Sequence, residues 1–204
     1  MQYFQIHPDN PQKRLIRQAV DILEKGGVIV YPTDSCYAYG CTIGNKSALE
    51  RIRKLRDVDK DHHFTLVCRD LSEIANYAKI TNPVYRLLKM ATPGPYTFIM
   101  EATRSVPKRL LHPKRKSIGL RVPDHPVVSA LLSALGHPLM SATLIAPGED
   151  LPMSDPDEIR SRLEKHVDLL IDCGSCGVEP TTVVDLTSDY PQVIRQGRGD
   201  AGIF

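Results

Sequence analysis

Apolar residues recur at three- and four-residue spacing between positions 15 and 23, which predicts one buried face of a helix. The Asn10-Pro11 pair favours a helix start just before them, because Asn caps a helix and Pro fits its first turn. Gly26-Gly27 ends the pattern, and residues 28–30 follow as a fully apolar run. Such runs are typical of strands covered on both faces. The strand leads into "YPTDSCYAYG", which predicts a turn and then a loop carrying two tyrosines.

The same alternation continues along the chain. Helical spacing predicts helices at 45–56, 82–91, 126–136 and 156–166, the last capped by Ser154 or Asp155. Strand patterns lie at 64–68, 96–100, 117–122, 138–143, 167–172, 181–186 and 192–196. Helices and strands interleave in the first 145 residues, and strands crowd the last 40. We therefore predict an α/β fold with a mixed sheet and helices packed on it.

Residues 146–156, "APGEDLPMSDP", form the one stretch that looks like a long surface loop. It is either a passive connection, the interpretation we favour because most loops are connections, or a lid over a site. Near the end of the chain, "GRGDAG" matches the spacing G-x-G-x-x-G but has only two residues after it. No phosphate-binding helix fits there, so we expect a flexible tail.

Length and composition indicate one ordinary globular domain over residues 1–204. The chain is 42% hydrophobic and 25% charged, and a length near 200 residues suits a single α/β unit. No apolar run reaches the roughly 20 residues that a membrane-spanning helix needs, and the first residues do not resemble a signal peptide. We expect a cytoplasmic protein without membrane contact. Its five scattered cysteines are expected to stay reduced.

Charge changes this picture, because the net charge of +2 is unevenly spread. Residues 102–123 contain no acidic residue, whereas residues 149–189 hold eleven acidic residues against three basic ones. A second basic cluster lies at residues 51–56. This asymmetry predicts a positive face and an anionic ligand.

Common catalytic and metal patterns find little support. The "CGSC" run at 173–176 has the spacing of half a zinc site but no second pair, and the Asp61-His62-His63 run is too short to hold a metal alone. Ser35 and Ser141 lie at strand ends but outside any G-x-S-x-G elbow. We predict no metal site built from protein side chains and no serine hydrolase.

What remains is a set of hydroxyl groups and cations near strand ends. In α/β sheets such groups converge on ligand sites, although each hydroxyl alone more often satisfies nearby backbone groups. Arginine and lysine suit a polyphosphate, which could bring its own Mg²⁺. The set is Thr33, Ser35, Lys54, Arg56, Arg121, Ser141, Thr143, Thr181, Thr182 and Arg195.

Several segments together resemble one family. "YPTDSCYAYG" is similar to the Y-P-T-[DE]-T-x-Y-G-L-G segment of the YrdC family, "KLR" at 54–56 to its K-x-R motif, and "PGPYTFIM" to its P-G-P-x-T loop. "IGLRVPDHP", "PLMSATLIAPG" and "PTTVVDL" resemble three further segments in the same order. The resemblance spans almost the whole chain, and the sequences of these segments are most similar to those of the YciO branch of the family.

The resemblance implies a twisted, mixed, open sheet with a concave basic face. It also implies that L-threonine, bicarbonate and ATP, with Mg²⁺ carried by the nucleotide, combine to threonylcarbamoyl-AMP and pyrophosphate, which serves tRNA modification. Carried over by position, Thr33 and Arg121 would bind threonine, and Lys54 and Arg56 would hold the ATP phosphates as the catalytic cations. The nucleotide would also be bound by Ser117, Ser141, Thr143, Thr181 and Arg195.

One departure separates this chain from the family pattern. The family's S-x-N motif corresponds here to Thr143, Leu144 and Ile145. Isoleucine makes no side-chain hydrogen bond where asparagine makes several, and such a loss costs on the order of 1 to 3 kcal/mol.

Two functions therefore stand side by side. The first is a threonylcarbamoyl-AMP synthase or an altered relative, supported by Thr33, Lys54, Arg56 and Arg121. The second is a non-catalytic protein that binds double-stranded RNA or tRNA through the same basic face, with Lys114, Arg115 and Lys116 as the expected contacts. Aromatic residues are absent from that basic run, which disfavours base stacking.

Overall fold

Helices and strands alternate along most of the chain, as the hydrophobic pattern predicts. The computed structural model describes residues 1–58, 64–112 and 114–204. The helices are α1 (Lys13–Glu24), α2 (Lys46–Arg56), α3 (Leu71–Tyr77), α4 (Asn82–Ala91), α5 (Pro126–Leu135) and α6 (Pro156–Leu163). The strands are β1 (Gln2–Gln5), β2 (Ile29–Tyr31), β3 (Ala38–Thr42), β4 (Thr65–Val67), β5 (Tyr96–Glu101), β6 (Ser117–Arg121), β7 (Leu139–Thr143), β8 (Leu169–Asp172), β9 (Thr182–Asp185) and β10 (Gln192–Arg195).

Within the described residues the strands form one ten-stranded sheet, in the order β1-β8-β2-β3-β7-β4-β6-β5-β9-β10. Four neighbouring pairs are parallel: β1 with β8, β2 with β8, β4 with β6, and β5 with β9. The other five pairs are antiparallel. The sheet is open, with β1 and β10 at its edges. The prediction of an α/β fold with a mixed, open sheet is confirmed.

The strand β3 corrects the prediction for the segment after β2. We expected a loop carrying two tyrosines, but the chain turns back and pairs antiparallel with β2, with Tyr31 opposite Ala38 and Ile29 opposite Gly40. Both tyrosines, Tyr37 and Tyr39, are buried. β3 is central, since β7 pairs with its other side.

Some element boundaries also differ from the prediction. Helix α1 begins after Gln12 rather than at Asn10, and Gln12 makes no side-chain capping bond. The cap of α6 is one of the two expected, because the Asp155 side chain accepts hydrogen bonds from two amides of its helix. The side chain of Asn45, for which no cap was predicted, accepts a hydrogen bond from the Ala48 amide at the start of α2. The strand β1 and the helix α3 were not predicted.

The helices cover the two faces of the sheet unequally. On one face, α2, α3, α4 and α6 pack a large core through residues such as Ile52, Ile74, Leu88 and Ile159. On the other face, α1 and α5 contact each other and pack over Ile29, Tyr31, Leu139, Leu169 and Ile171. The strands β4, β6, β5 and β9 lie beyond these two helices. Their surface on this side is therefore open for a ligand.

The segment "GRGDAG" is packed against the sheet, so the expectation of a flexible tail was wrong. A Cβ atom at Gly197 would lie 2.2 Å from the Pro180 carbonyl oxygen, and one at Gly199 would lie 2.3 Å from the Tyr96 ring. Only glycine permits this approach. The Phe204 ring then makes edge contacts with Tyr96 and Phe98. The glycines therefore serve packing rather than phosphate binding.

The loop at 146–155 is tied down at several points. Ala146 and Met153 are buried, and the Met153 amide donates to the Leu144 carbonyl at 2.9 Å. Glu149 forms an exposed ion pair with Arg162 at 2.8 Å. These contacts fit a passive connection. Within the described residues, no helix has the length and apolar character needed to cross a membrane.

Candidate functional site

The open part of the sheet presents a row of small side chains across neighbouring strands. The cross-strand partners run from Ser141 to Thr65, Gly119 and then the larger Ile99. Cross-strand partners point to the same face of a sheet, so this row forms a floor. A Cβ atom at Gly119 would lie 3.0 Å from the Thr65 hydroxyl oxygen, which means that glycine keeps the floor low there.

A cavity of about 480 Å³ lies above this floor. Its wall contains Arg56, Arg121 and Arg195, whereas none of the described residues that line it is Asp or Glu. The Asp34 carboxylate behind the wall compensates Arg121, whereas Arg56 and Arg195 have no ion-pair partner among the described residues. These two guanidinium groups give the cavity its positive charge, which suits phosphate or carboxylate ligands.

Arg121, at the end of β6, is held in place by the loop that follows β2. Its Nη2 atom donates to the Asp34 carboxylate, to the Ser35 hydroxyl at 2.9 Å and to the Thr33 hydroxyl at 3.2 Å. The Nε atom of Arg121 is buried and has no hydrogen-bond partner among the described residues. An unpartnered buried donor is unfavourable, and a ligand oxygen would satisfy it.

Thr33 lies behind Arg121 rather than in the cavity wall. It is buried, and its hydroxyl donates to the Cys36 carbonyl at 2.7 Å while accepting from the amides of Ser35 and Cys36 at 3.2 Å each. Ser35 and Cys36 do line the cavity. Thr33 therefore shapes the turn that presents its neighbours and the Arg121 side chain.

Arg56 enters the cavity from the last residue of α2. Its Nη1 atom donates to the Ile145 carbonyl at 3.2 Å, and its Nε atom has no partner among the described residues. Burial lowers the pKa of Arg56 from its usual value, the opposing effect of Tyr39 being smaller. Arginine still stays protonated at neutral pH. Ile145 lines the cavity beside it.

Lys54 and Ser117 lie outside the residues that line this cavity. Lys54 is exposed, one residue before Leu55 on α2. Ser117 is fully buried at the start of β6, and its hydroxyl has no partner among the described residues. It shares the face of Gly119 and Arg121, because side chains two apart on a strand point the same way.

The remaining predicted residues come together on the opposite wall and on the floor. Arg195 binds the Thr181 carbonyl oxygen through Nη2 at 2.9 Å and Nε at 3.2 Å. The Thr181 and Thr97 hydroxyls are 2.9 Å apart. Ser141 donates to the Tyr39 carbonyl at 3.0 Å and lies 2.7 Å from the Tyr31 hydroxyl. Thr143 ends β7 and lines the cavity.

None of the three residues predicted to bind RNA lines this cavity. Arg115 pairs with Asp185 at 3.4 Å, and Lys116 lines a different cavity. Lys114 is exposed beside them.

Metal and thiol chemistry find no support in the described part of the chain. There, no group of three or more His, Cys, Asp and Glu side chains is placed to hold a metal ion. Cys173 and Cys176 are free thiols, and burial raises their pKa values to about 12 and about 11. The Asp61-His62-His63 run lies outside the described residues.

Some lining residues were missed at first. Thr65 and Thr97 were placed on strands without a role, yet each is a polar residue in an otherwise apolar strand, and that signal was available. Asp34 was also missed, because only the folded chain brings it to Arg121 and, at 2.9 Å, to the Asp124 amide.

Comparison with known proteins matches most of this chain to one protein family. The model described as "Telomere recombination", which covers Sua5, YciO and YrdC proteins, matches residues 21–197. The chain is 57% identical over all of its length to YciO of Escherichia coli K12, covering 98% of that protein, and 57% identical to a Haemophilus influenzae protein, covering 99%.

Solved structures show the same fold. The crystal structure of E. coli YciO matches all of this chain and 98% of that chain with a TM-score of 0.97 at 57% identity. The crystal structure of P. abyssi Sua5 complexed with L-threonine matches 97% of this chain and 58% of that chain, with a TM-score of 0.88 at 20% identity. At 20% identity, the similarity to P. abyssi Sua5 is a similarity of fold.

Proposed function

The chain belongs to the Sua5, YciO and YrdC family, and we propose that its cavity binds ATP with L-threonine or a related amino acid and forms a carbamoyl-adenylate. The observation that carries this proposal is the convergence of Arg56, Arg121 and Arg195 on one cavity whose described lining contains no carboxylate. A substrate pair with a polyphosphate and a carboxylate supplies the negative charge that such a wall requires.

The amino acid is proposed to bind at Arg121. Its guanidinium is oriented by Asp34, Thr33 and Ser35, and its Nε donor is without a protein partner among the described residues. A substrate carboxylate fits that donor. The P. abyssi Sua5 structure complexed with L-threonine supports threonine as the first amino acid to test.

The nucleotide is proposed to bind across the rest of the cavity. Arg56 and Arg195 face its phosphates, with exposed Lys54 joining from α2 and bicarbonate binding between the two substrates. The hydroxyls of Ser141, Thr143 and Thr181, with Ser117 further along β6, are proposed to bind the nucleoside. Because the described lining has no carboxylate, Mg²⁺ is expected to arrive on the ATP phosphates.

The reaction requires positioning more than a protein nucleophile. The threonine amine first combines with bicarbonate to give a carbamate and water. A carbamate oxygen then attacks the α-phosphorus of ATP, the bond to the β-phosphate oxygen breaks, and pyrophosphate leaves. The arginines neutralise charge on the phosphates as the leaving group forms, which stabilises the transition state. The product, threonylcarbamoyl-AMP, would serve tRNA modification.

Pyrophosphate release from ATP tests this proposal. Purified protein is assayed with bicarbonate and a panel of amino acids, and we expect release that depends on threonine or a related amino acid. Arg56→Gln should abolish most of it, whereas Arg86→Gln, an exposed change on α4, should leave it unchanged. The proposal is wrong if no amino acid supports release at enzyme concentrations where a family synthase is active.

A second candidate function is binding of duplex RNA or tRNA. The acid-free stretch at 102–123 favours it, because unpaired cations bind the phosphate backbone. Since Arg115 is paired with Asp185, Lys114 and Lys116 are the better contacts to neutralise. Binding that weakens steeply with salt and with Lys114→Gln/Lys116→Gln supports this function, and unchanged binding argues against it.

A further inference from the structure

A second cavity, of about 660 Å³, lies at the other end of β6 from the first. Lys116 lines it just before the strand begins, whereas Arg121 at the end of the strand lines the ATP cavity. Five residues of strand separate the two, which is about 16 Å. The cavities are therefore distinct, and the second is lined by residues of the connection between β5 and β6.

The rim of the second cavity is positive. Arg104, Lys108 and Lys116 line it, all three are exposed, and none has an ion-pair partner among the described residues. Two acidic side chains near this segment are already paired, Glu101 with Lys79 at 2.5 Å and Asp185 with Arg115 at 3.4 Å. These two carboxylates therefore do not neutralise Arg104, Lys108 and Lys116, whose positive charges can attract an anionic ligand.

The floor of the second cavity is apolar. Val106 is 3% exposed, and Ala102 and Leu111 are half-buried beside it. Reciprocal backbone bonds close the segment, since the Lys116 amide donates to the His112 carbonyl at 3.0 Å and the His112 amide donates to the Ser117 carbonyl at 2.9 Å. Lys116 lies in the left-handed region, with φ of 52°. Backbone hydrogen bonds thus join the two ends of residues 112–117 next to the cavity.

We infer that this second cavity binds a small phosphorylated molecule, with the phosphate held by Arg104, Lys108 and Lys116 and the apolar part resting on Val106 and Leu111. Three cations that line one cavity suit the oxygens of a phosphate group. The volume and the apolar floor are those of a small-molecule site. An extended RNA backbone would use the cations but has no need of the buried floor. Binding here is independent of chemistry in the ATP cavity.

Amide chemical shifts separate the two cavities, which makes NMR of the full 22.8 kDa chain the appropriate experiment. AMP is titrated, with adenosine as the phosphate-free control. We expect saturable shifts at the amides of Thr103, Val106 and His112 with AMP and none with adenosine. In Arg104→Gln/Lys108→Gln, the dissociation constant read from these amides should rise at least tenfold.

Lys114→Gln is the matched control, because Lys114 is an exposed cation of the same segment that does not line the cavity. It should change the dissociation constant less than twofold, and dispersed spectra verify the fold of each variant. Equal losses in the two variants, or no saturable shift at these amides, overturn the inference. It is also wrong if the double variant weakens binding of duplex RNA but not of AMP.

Discussion

Arg121 and Asp34 form an ion pair in which both side chains are almost fully buried, 9% and 10% exposed. The pair joins the turn after β2 to the end of β6. The other carboxylate oxygen of Asp34 accepts from the Asp124 amide at 2.9 Å, so the same side chain also holds the start of the segment before α5. Asp34 therefore positions Arg121, which lines the cavity.

Asp34→Asn should destabilise the protein by about 3 kcal/mol, because removing one partner leaves the other charge buried and uncompensated. Asparagine keeps an oxygen for the Asp124 amide, which limits the change to the ion pair. Urea unfolding at neutral pH measures the free energy of unfolding.

Glu149→Gln is the control for this prediction. It also removes a carboxylate that faces an arginine, but the Glu149 and Arg162 side chains are 43% and 39% exposed. Exposed pairs contribute at most about 1 kcal/mol. Equal losses in the two variants would mean that burial of the Arg121 pair does not stabilise the fold.

Arg56 should matter more than Lys54 for ATP binding. Arg56 lines the cavity with an unpartnered buried Nε, whereas Lys54 is exposed outside it. Arg56→Gln should weaken ATP binding about tenfold to a hundredfold, the range for a lost charged hydrogen bond. Lys54→Gln should cost less than about fivefold, typical of an exposed charge. Isothermal titration calorimetry measures the dissociation constant of ATP for each variant. A larger loss of affinity in Lys54→Gln than in Arg56→Gln would contradict the proposed role of Arg56.

Ile145→Asn should strengthen ligand binding. An asparagine at this lining position returns the hydrogen-bonding group of the family's S-x-N motif, which is worth on the order of 1 to 3 kcal/mol and thus about tenfold or more in affinity. Ile194→Asn is the control, since Ile194 also lines the cavity but comes from β10. If both variants bind the ligand more tightly, the gain comes from a more polar cavity in general and not from the position of residue 145. If Ile145→Asn does not bind more tightly, the ligand does not contact this position.

The thiols of Cys173 and Cys176 should react slowly at neutral pH. Burial raises their pKa values to about 12 and about 11, and only the thiolate is nucleophilic. The rate of alkylation by iodoacetamide should therefore rise about tenfold per pH unit between pH 7.5 and pH 10 without levelling off. Peptide mass spectrometry follows each cysteine. In urea the rate for both cysteines should stop rising once the pH passes the pKa of a free thiol, about 8.5. If the rate in the folded protein stops rising near pH 9, the raised pKa values are wrong.

Most of the fold could be predicted from the sequence because its hydrophobic periods are clear. α2 carries both an Asn45 cap and helical spacing, and α5 begins at Pro126 and ends at Gly136. β3 could not be predicted in the same way. Its Ala38 and Gly40 are poor strand formers, and the segment becomes a strand only because β2 and β7 pair with it on both sides.

Most residues of the candidate site could be predicted from the sequence, but not how they are placed relative to one another. Their position near the ends of predicted elements, together with the family resemblance, singled out Arg56, Arg121, Ser141, Thr143, Thr181 and Arg195, and the structure brings all six to one cavity. Thr33, Lys54 and Ser117 lie outside its lining, which spacing alone cannot reveal. The Asp34 pair and the second cavity depend on contacts between segments far apart in sequence. Such contacts leave no local periodic signal.

The low floor of the first cavity, the one lined by Arg56, Arg121 and Arg195, limits how this protein can diverge. At Gly119 every substitution adds atoms, and a Cβ would already lie 3.0 Å from the Thr65 hydroxyl oxygen. Change at this position can only make the cavity shallower. Any change of ligand preference is therefore expected at the walls, where Ile145 is half-buried and Ile194 is exposed, so that either can be exchanged without lifting the sheet.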